Sequence, residues 1–453
     1  MKTVFVSISN PPVYRNFALF PDCVFDVLGK VPDARVVILA KKRLFPELRH
    51  KFTGKNYAIE EFEENLKKNF LQRVFYFFYS YLIFTDTTKL VSSYGVRADK
   101  ARPLYKYWNY PFKWLLSRTL GRSKFIREKI VPPMYLRLFP GRPYKYLFDK
   151  YEPDTVFLPN VCVWPADLEF LVEARRRNIK TLGMPANWDH LSKYYIPFKP
   201  DKLLIWSRQV EYEALKYQNY ERQNIKIVGA PQIDFLIKPS NRLPRSEFLA
   251  KVGFPENSKI IAFFSQGPYS LDGPDLVKMV IDWIGSGKLP KELRIIIRPH
   301  PSGLREGEKY QIFAGHPLVY IDDVEGWSSI PRVLNYLNVL YHSDIVLTTY
   351  SSIATEASIF DRPTIIASFD GYKNRPIYQS VRRHAKFTHF QYLLSLGGIR
   401  VVWSEEPFLE AINEYLAHPE HNRIERKKLA REVFGFLDGK NSERICREIV
   451  ALL

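Results

Sequence analysis

The sequence predicts an α/β protein of two tandem Rossmann-like domains whose parallel sheets face each other across a cleft. Its 453 residues exceed what one ordinary hydrophobic core accommodates. In both halves, short runs rich in β-branched residues alternate with helix-length segments, which is a βαβ pattern. These runs are continuously apolar instead of alternating, and such runs are typical of strands buried on both faces of a parallel sheet.

A polar stretch with two prolines, near residues 236–246, separates the two series of strands and is predicted to be a linker. Residues 1–236 are assigned to an N-terminal domain and residues 237–420 to a C-terminal domain. Residues 421–453, rich in Lys, Arg and Leu, are predicted to form a C-terminal helical segment. Just before the linker, VGAPQID (Val228–Asp234) is interpreted as a structural turn with a capping aspartate. Ligands of parallel sheets bind beyond the carboxyl ends of the strands, so the residues that follow each strand are the candidates for a site.

A basic and aromatic insertion, at about residues 70–150, interrupts the first domain. Between Lys89 and Lys150 there are fifteen Lys and Arg residues and three acidic ones, which gives +12 of the net charge of +19. The aromatic run Val74–Phe84 is too short to span a bilayer and is interpreted as a buried helix or strand, with an interfacial element at a membrane surface as the alternative. For the basic segment, a solvated face, an anionic membrane surface and an anionic acceptor stay open. No nucleic-acid-binding module is recognisable, so nucleic acid is not expected as a partner.

The first candidate constellation is RPHP, which follows the strand LRIII. Arg298 and His300 come at the carboxyl end of this strand, and Pro299 and Pro301 restrict the backbone on both sides of the histidine. A permanently charged guanidinium beside an imidazole suits a diphosphate or a phosphodiester. The alternative is a loop histidine that bonds to the backbone.

The second constellation is Thr349, Ser351, Ser352 and Glu356, after the strand DIVLT. Hydroxyls and backbone N–H groups at the start of a helix can bind an anion, helped by the helix dipole. Glu356 falls one turn into the predicted helix, where its carboxylate could accept both hydroxyls of a ribose. Helix capping by Ser352 is the structural alternative, although a capped helix end can still bind phosphate.

Two further loops follow strands. Ser265, Gln266 and Gly267 follow the first strand of the second half and offer backbone N–H groups with little bulk, as a phosphate-facing loop requires. In the first half, Asp189 and His190 lie in the loop GMPANWDHLSKY. Together they are candidates for the general base that would deprotonate an acceptor hydroxyl, with a purely structural loop as the alternative.

No metal and no cofactor are expected. The sequence has no Walker A run, no dinucleotide glycine fingerprint, no CxxC pair and no HExxH, and Asp322–Asp323 lacks a matching partner. Phosphate charge would then be neutralised by Arg, His and helix N-termini. The three separated cysteines, Cys23, Cys162 and Cys446, do not suggest a disulfide framework and fit a reducing compartment. The start of the chain is interpreted as a buried strand instead of a signal peptide, so we expect a cytoplasmic protein, either free or peripheral on the inner face of the plasma membrane.

These motifs resemble the GT-B superfamily of nucleotide-sugar-dependent glycosyltransferases over roughly residues 150–420. RPHP (Arg298–Pro301) and YSS…E (Tyr350–Glu356) look like those of bacterial CDP-glycerol glycerophosphotransferases. They also look like those of capsule and lipopolysaccharide transferases that use CMP-activated sugars, such as Kdo or sialic acid transferases. VGAPQID (Val228–Asp234) is similar to a stretch of UDP-N-acetylglucosamine 2-epimerases, and NWDHLSK (Asn187–Lys193) resembles a WDNLSSK-like stretch of surface-polysaccharide proteins.

The resemblance implies that His300 contacts the donor phosphate and that Ser351, Ser352 and Glu356 hold phosphate and ribose. The second domain would bind the donor and the first domain the acceptor. Because the glycerophosphotransferases often have Asp where this chain has Glu356, the favoured function is a metal-independent GT-B glycosyltransferase that moves a sugar from a nucleotide-activated donor. A CMP-sugar is favoured over a UDP-sugar, and the acceptor would be a surface polysaccharide or a lipid-linked glycan. The alternatives are a CDP-glycerol-type glycerophosphotransferase, a UDP-sugar 2-epimerase-like enzyme and a non-catalytic GT-B-like binding protein.

Overall fold

The computed structural model describes residues 1–63, 69–79, 82–103, 109–161, 165–300, 306–322 and 329–453. Cys162, Pro301 and Asp323 lie outside these ranges, as do parts of the predicted insertion. The chain divides into two compact units. The first comprises residues 1–88, 111–236 and 433–453, and the second comprises residues 89–110 and 237–432.

The first unit contains a parallel sheet. Its seven strands are β1 Lys2–Ile8, β2 Ala34–Ala40, β3 Tyr57–Glu61, β4 Thr155–Leu158, β5 Lys180–Gly183, β6 Lys202–Ile205 and β7 Ile225–Ile227. They are ordered β3-β2-β1-β4-β5-β6-β7, and each neighbouring pair is parallel. Between β1 and β4 the order along the chain reverses, which is where doubly wound sheets bind ligands. Every residue of β1 after Lys2 is buried, as the continuous apolar run predicts.

The second unit repeats this order with six strands. They are β8 Lys259–Phe264, β9 Leu293–Arg298, β10 Val319–Ile321, β11 Ile345–Thr348, β12 Thr364–Ala367 and β13 Arg400–Val402. The order is β10-β9-β8-β11-β12-β13, again parallel throughout, with its switch point between β8 and β11. The prediction of two α/β units with parallel sheets is therefore confirmed.

Helices connect the strands of both units. The described α-helices are α1 Pro11–Tyr14, α2 Val24–Gly29, α3 Phe45–Lys51, α4 Phe70–Tyr79, α5 Asp86–Tyr94, α6 Tyr110–Arg118, α7 Val131–Leu138, α8 Lys145–Tyr151, α9 Pro165–Arg176, α10 Arg208–Gln218, α11 Ile233–Leu236, α12 Arg245–Val252, α13 Gly273–Gly285, α14 Ile330–His342, α15 Ile353–Glu356, α16 Thr388–Leu394, α17 Glu405–Ala417, α18 Arg423–Phe434 and α19 Asn441–Val450. In the second unit the apolar face of α13 joins the core below the strands, where Trp283 packs edge-to-face on Phe408 at 5.3 Å between ring centroids. None of the described helices combines the length and the apolar character that a bilayer crossing requires.

The last helix, α19, packs into the first unit, whereas residues 237–432 before it belong to the second unit. The carboxylate of Asp234 accepts hydrogen bonds from the backbone N–H groups of Asn441 at 3.0 Å and Ser442 at 2.7 Å. Asp234 therefore caps a helix that begins 207 residues later instead of its own short helix. Gly229 has a φ of +85°, and a Cβ there would lie 2.1 Å from the Asn441 side chain. The glycine and the aspartate of VGAPQID thus hold α19 in place.

The predicted insertion forms helices that leave apolar side chains exposed. Within the aromatic run Val74–Phe84, Phe75 of α4 is buried, whereas Phe78 is 47% exposed, so the run is not wholly a buried element. In α6, Phe112 and Leu115 are more than half exposed, and the guanidinium of Arg118 lies 5.2 Å from the ring centroid of Trp114. Exposed aromatic and aliphatic groups therefore alternate with cations on this part of the first unit.

Candidate active site

The loops after β8 and β11 meet at the switch point of the second sheet. The Thr349 hydroxyl donates to the side-chain oxygen of Gln266 at 2.8 Å, and the Gln266 amide donates to the carbonyl of Tyr350. The Ser265 hydroxyl donates to the carboxylate of Glu306 at 2.5 Å and accepts from the N–H of Gly267 at 3.0 Å. Two of the candidate constellations are thus joined by direct hydrogen bonds.

His300 lies against this loop. Gly267 has a φ of +65°, and a Cβ at this position would lie 3.1 Å from the Cβ of His300 and 3.2 Å from its Nδ1. The ring also meets Tyr269 edge-on, at 6.2 Å between centroids. Burial lowers the pKa of His300 to about 4, so the imidazole is neutral at neutral pH and one ring nitrogen is a hydrogen-bond donor. Glycine is needed here because its missing side chain leaves the space that the imidazole occupies.

Arg298 has an intramolecular partner for its charge. Its guanidinium donates to the carboxylate of Asp322, and both side chains are buried. The parallel register explains the pair, because Ile297 of β9 faces Ile321 of β10 and the next residues are therefore side by side. The guanidinium also lies 5.3 Å from the ring centroid of Tyr336. A guanidinium in this setting stabilises the neighbouring side chains, and its contact with a donor phosphate stays a prediction.

Glu356 is linked to Arg298 through Tyr336. Its carboxylate accepts a hydrogen bond from the hydroxyl of Tyr336, which is buried in α14. Ser351 and Ser352 are half-buried beside it, and Ser352 stands at the N-cap position without a side-chain capping bond. The helix itself is short, since α15 continues only as a 3-10 turn, so its dipole adds little to anion binding. The length of Glu356 lets it reach Tyr336.

The sequence analysis did not identify Glu306 or Tyr336 as residues of this site. It named Asp322 but did not predict its contact with Arg298. Each contacts a predicted residue from a different segment of the chain. Glu306 also forms an ion pair with Lys309 at 2.8 Å, which helps to hold the carboxylate beside Ser265. Burial raises the pKa of Asp322 despite its ion pair. The strand order alone could have indicated Asp322, because β10 borders β9; no sequence signal indicates the other two.

Asp189 and His190 belong to the first unit, in the loop that follows β5. The carboxylate of Asp189 accepts from Lys193, and its other oxygen lies 4.0 Å from Nε2 of His190. Burial lowers the pKa of His190 to about 4 and raises that of Glu213, on α10, to about 8. At neutral pH the imidazole is therefore neutral, while the Glu213 carboxyl carries a proton. Nδ1 of His190 is buried and has no hydrogen-bond partner within the described ranges.

The switch point of the first sheet carries polar residues that the sequence did not single out. The Ser7 hydroxyl donates to the buried carboxylate of Asp167, and the Asn160 amide donates to the Ser9 hydroxyl at 3.2 Å. Ser7 belongs to β1 and Asn160 follows β4, so these groups flank the crevice position of a doubly wound sheet. Each unit thus has a polar centre at its own switch point.

A group of side chains that could bind a metal ion lies outside the predicted site. In the part of the chain that the structure describes, one cluster has ligand atoms close enough to hold an ion: His418, Glu420 and His421, all exposed. None of the predicted donor or acceptor residues belongs to this cluster. Metal independence of the reaction stays a prediction.

These features make up a GT-B-like fold with a polar centre at the switch point of each sheet. Residues 187–451 match the family model described as CDP-Glycerol:Poly(glycerophosphate) glycerophosphotransferase. The matched segment is more than half of the chain and contains every predicted site residue. The chain belongs to this glycerophosphotransferase family. A sequence comparison with curated proteins gives no significant match.

Solved structures agree on the fold. S. aureus MnaA, in a co-structure with UDP, has a TM-score of 0.56 and 13% identity, covering 100% of this chain and 98% of its own. The UDP-GlcNAc 2-epimerase from Neisseria meningitidis bound to UDP-GlcNAc has a TM-score of 0.52 and 12% identity, with 100% of each chain covered. The wall teichoic acid polymerase TagF, as a histidine-to-asparagine variant soaked with CDPG, has a TM-score of 0.50 and 12% identity, covering 99% of this chain and 88% of its own. These identities support the shared fold alone.

The family match corrects the donor preference. It supports transfer from a nucleotide-activated donor, and it is closer to the CDP-glycerol alternative than to the favoured CMP-sugar. The length of Glu356 was the argument for sugar transfer. In the structure the Glu356 carboxylate accepts a hydrogen bond from Tyr336.

Proposed function

We propose that the protein transfers a glycerophosphoryl-type group from a CDP-activated polyol to a hydroxyl of a phosphate-containing acceptor. The observation that carries the proposal is the family match over residues 187–451, together with the neutral, buried His300 packed on Gly267. The acceptor oxygen attacks the distal phosphorus of the donor, the P–O bond of the diphosphate breaks, and CMP leaves. The proton of the acceptor hydroxyl passes to a base.

In the donor half, His300 donates a hydrogen bond to the diphosphate. Ser351 and Ser352 supply hydroxyls and backbone N–H groups to the same anion, and Glu356 accepts from the ribose hydroxyls. Arg298 holds Tyr336 in place and so positions Glu356, through the buried pair with Asp322. This role differs from the direct phosphate contact that the sequence suggested for Arg298.

In the acceptor half, His190 is the better candidate for the base. Its imidazole is neutral at pH 7 and is close to Asp189, whose negative charge stabilises the imidazolium that forms after proton transfer. Asp189 is already engaged by Lys193, which makes it a positioning group. The acceptor itself is a glycan or a lipid-linked chain.

The exposed aromatic and basic helices of residues 70–150 support binding to an anionic membrane surface on the inner face of the plasma membrane. Phe70, Phe112 and Leu115 would enter the headgroup region while nearby cations contact anionic lipids. Binding to anionic liposomes that weakens at high salt tests this part of the proposal. Binding that is absent, or that is equal on neutral liposomes, would exclude it.

The decisive experiment offers the purified chain CDP-glycerol, a CMP-sugar and a UDP-sugar, each with and without a glycerol phosphate acceptor, and follows the released nucleotide. We expect CMP release from CDP-glycerol that depends on the acceptor. Acceptor-dependent release from the CMP-sugar instead would favour sugar transfer, and conversion of the UDP-sugar alone would favour an epimerase. Binding of CDP-glycerol without any turnover would favour a non-catalytic protein.

His300→Ala tests the donor site. Loss of one charge-stabilising donor of this type costs about 10²–10³ in turnover. His50→Ala is the matched control, because His50 is exposed and lies in the first unit. If His300→Ala keeps the CMP-release rate of the control, His300 does not contact the donor.

A further inference from the structure

The first unit carries a groove on the amino-terminal side of its sheet, away from the candidate site. Its main lobe has a volume of about 420 Å³ and is bordered by segments that precede β6 and β7. A second lobe of about 210 Å³ shares Arg175, Lys199 and Asp201 with the first, so the two lobes adjoin. Asp189 and His190 follow the opposite end of β5. Because β5 has four residues, its length alone places the groove and the Asp189 loop about 13 Å apart along the strand direction.

Arg127 is a buried cation in the wall of this groove. It is 7% exposed and lies in the π-helical turn Ile126–Ile130, a geometry often found at functional sites. Its terminal nitrogens donate to the backbone carbonyls of Tyr217, at 2.9 Å, and Leu82. Its Nε is buried without a hydrogen-bond partner, and the guanidinium forms no ion pair with any described carboxylate. Burial lowers the pKa of Arg127, and the charge of Glu128 offsets this only in part, so an anion in the groove would stabilise the cation.

The other charges of the groove favour an anion as well. Lys129 and Arg175 are exposed cations of the rim that form no ion pair within the described ranges. The acidic groups are already satisfied. Glu128 accepts from Lys199 at 2.8 Å, Glu221 accepts from Lys124 at 2.6 Å, and Asp201 accepts from the N–H and the hydroxyl of Thr181, both at 2.8 Å. The surplus cations are therefore free to meet phosphate oxygens.

The walls of the groove indicate a hydrophilic ligand. Besides the charged groups they carry three asparagines, Asn178, Asn219 and Asn224. The two aromatic rings are covered by protein cations: Arg127 lies 5.0 Å from the ring centroid of Tyr195, and Lys199 lies 5.1 Å from that of Tyr220. These faces are consequently not open for stacking by a nucleobase. A phosphate ester with several hydroxyls suits such walls better than a nucleotide or a lipid tail does.

One loop joins the groove to the candidate base. Residues 184–201 carry Asp189 and His190 in their first half and the groove wall, from Tyr195 onward, in their second half. Gln218 fixes the middle of this loop. Its amide donates to the carbonyls of Leu191 and Tyr194, both at 2.7 Å, and its oxygen accepts from the N–H of Ile196 at 3.0 Å. A ligand in the groove therefore contacts the same rigid loop that presents the base.

We propose that this groove is a second acceptor site, which binds a phosphodiester unit of the acceptor chain at a distance from the hydroxyl that reacts. The inference rests on the proposed function for the nature of the chain. Lys129, Arg175 and Arg127 contact the phosphate oxygens, and the asparagines bind the hydroxyls between phosphates. The site favours acceptors that are already polymerised over single units.

The test uses the full chain and three probes: a glycerol phosphate oligomer, glycerol 3-phosphate and inorganic phosphate. Binding is measured by calorimetry, and the KM of the oligomer is measured with CDP-glycerol as donor. The groove variant is Lys129→Ala/Arg175→Ala, two exposed positions whose change leaves folding nearly unaffected. The control is Lys55→Ala/Arg447→Ala, which removes the same charge from exposed positions of the same unit.

We expect the groove variant to bind the oligomer about tenfold more weakly and to raise its KM in proportion, while the control matches the wild type. Equal losses in both variants, or none in either, would overturn the proposal. Phosphate or glycerol 3-phosphate that binds the groove as tightly as the oligomer would assign it to a single small anion and overturn the acceptor-chain interpretation. If the wild type releases no CMP but the groove variant still weakens oligomer binding, the proposed function fails and the groove site stands.

Discussion

The contact between Gly267 and His300 gives the sharpest test of the donor site. Gly267→Ala places a methyl group 3.1 Å from the Cβ of His300, at a backbone φ of +65°. The left-handed conformation alone costs an alanine about 1–2 kcal/mol. The contact adds a displacement of the histidine by a few tenths of an ångström, and we expect this to lower kcat/KM for the CDP-activated donor by about tenfold.

Gly253→Ala is the matched control. Gly253 lies in the same unit with a φ of +71°, but a Cβ there would have no atom within 4 Å. Both variants should therefore lose similar stability, about 2–8 °C in Tm for a unit of this size. Only Gly267→Ala should lose activity and donor affinity, measured by CMP release and by calorimetry. Equal activity of the two variants would refute the view that this glycine makes room for a catalytic-site imidazole.

Three further predictions concern stability, each measured by urea unfolding. Asp322→Ala should cost about 3–5 kcal/mol, because it leaves Arg298 buried without its partner; a loss below about 1 kcal/mol would show that the pair is not structural. Asp234→Ala should cost about 1–2 kcal/mol through the loss of the cap on α19, and an unchanged unfolding midpoint would contradict the capping role. His190 should make the protein acid-sensitive: its pKa is about 4 when folded and 6.5 when unfolded, so the unfolded state binds more protons between these values. The contribution of His190 to the free energy of unfolding should fall by about 2 kcal/mol from pH 7 to pH 5. Glu213, with a folded pKa of about 8, acts in the opposite direction, so the wild type is compared with His190→Gln at both pH values. The variant should lack the His190 loss, and equal pH dependence of the two proteins would contradict a buried neutral imidazole.

The architecture could be predicted from the sequence because its signal is local. Runs such as KIIAFF and IVLT are buried along nearly their whole length, which only a sheet covered on both faces produces. The chain paths of residues 89–110 and 433–453 could not be predicted, since each joins the unit that its sequence neighbours do not. That choice depends on tertiary contacts, such as the hydrogen bonds of Arg383 to the carbonyls of Gly95 and Val96.

The positions of the site residues could be predicted from the sequence where they follow directly from the ends of strands. Ser265 to Gly267, His300 and Thr349 come together because parallel strands end at one edge of the sheet. What each side chain does there depends on partners that the sequence does not pair. The sequence does not show that Arg298 pairs with Asp322 or that Glu356 accepts from the hydroxyl of Tyr336.

The return of the chain to the first unit constrains how the protein is made. The cap of Asp234 on α19 and the hydrogen bond of the Cys446 thiol to the carbonyl of Val24, at 3.2 Å, need residues that are synthesised only after the second unit. At about 5–20 residues per second, roughly 10–40 s of synthesis separate residue 236 from the C-terminal helix. During that interval the nascent first unit exposes the apolar surface that α19 later covers, and it depends on the second unit being translated before it can close.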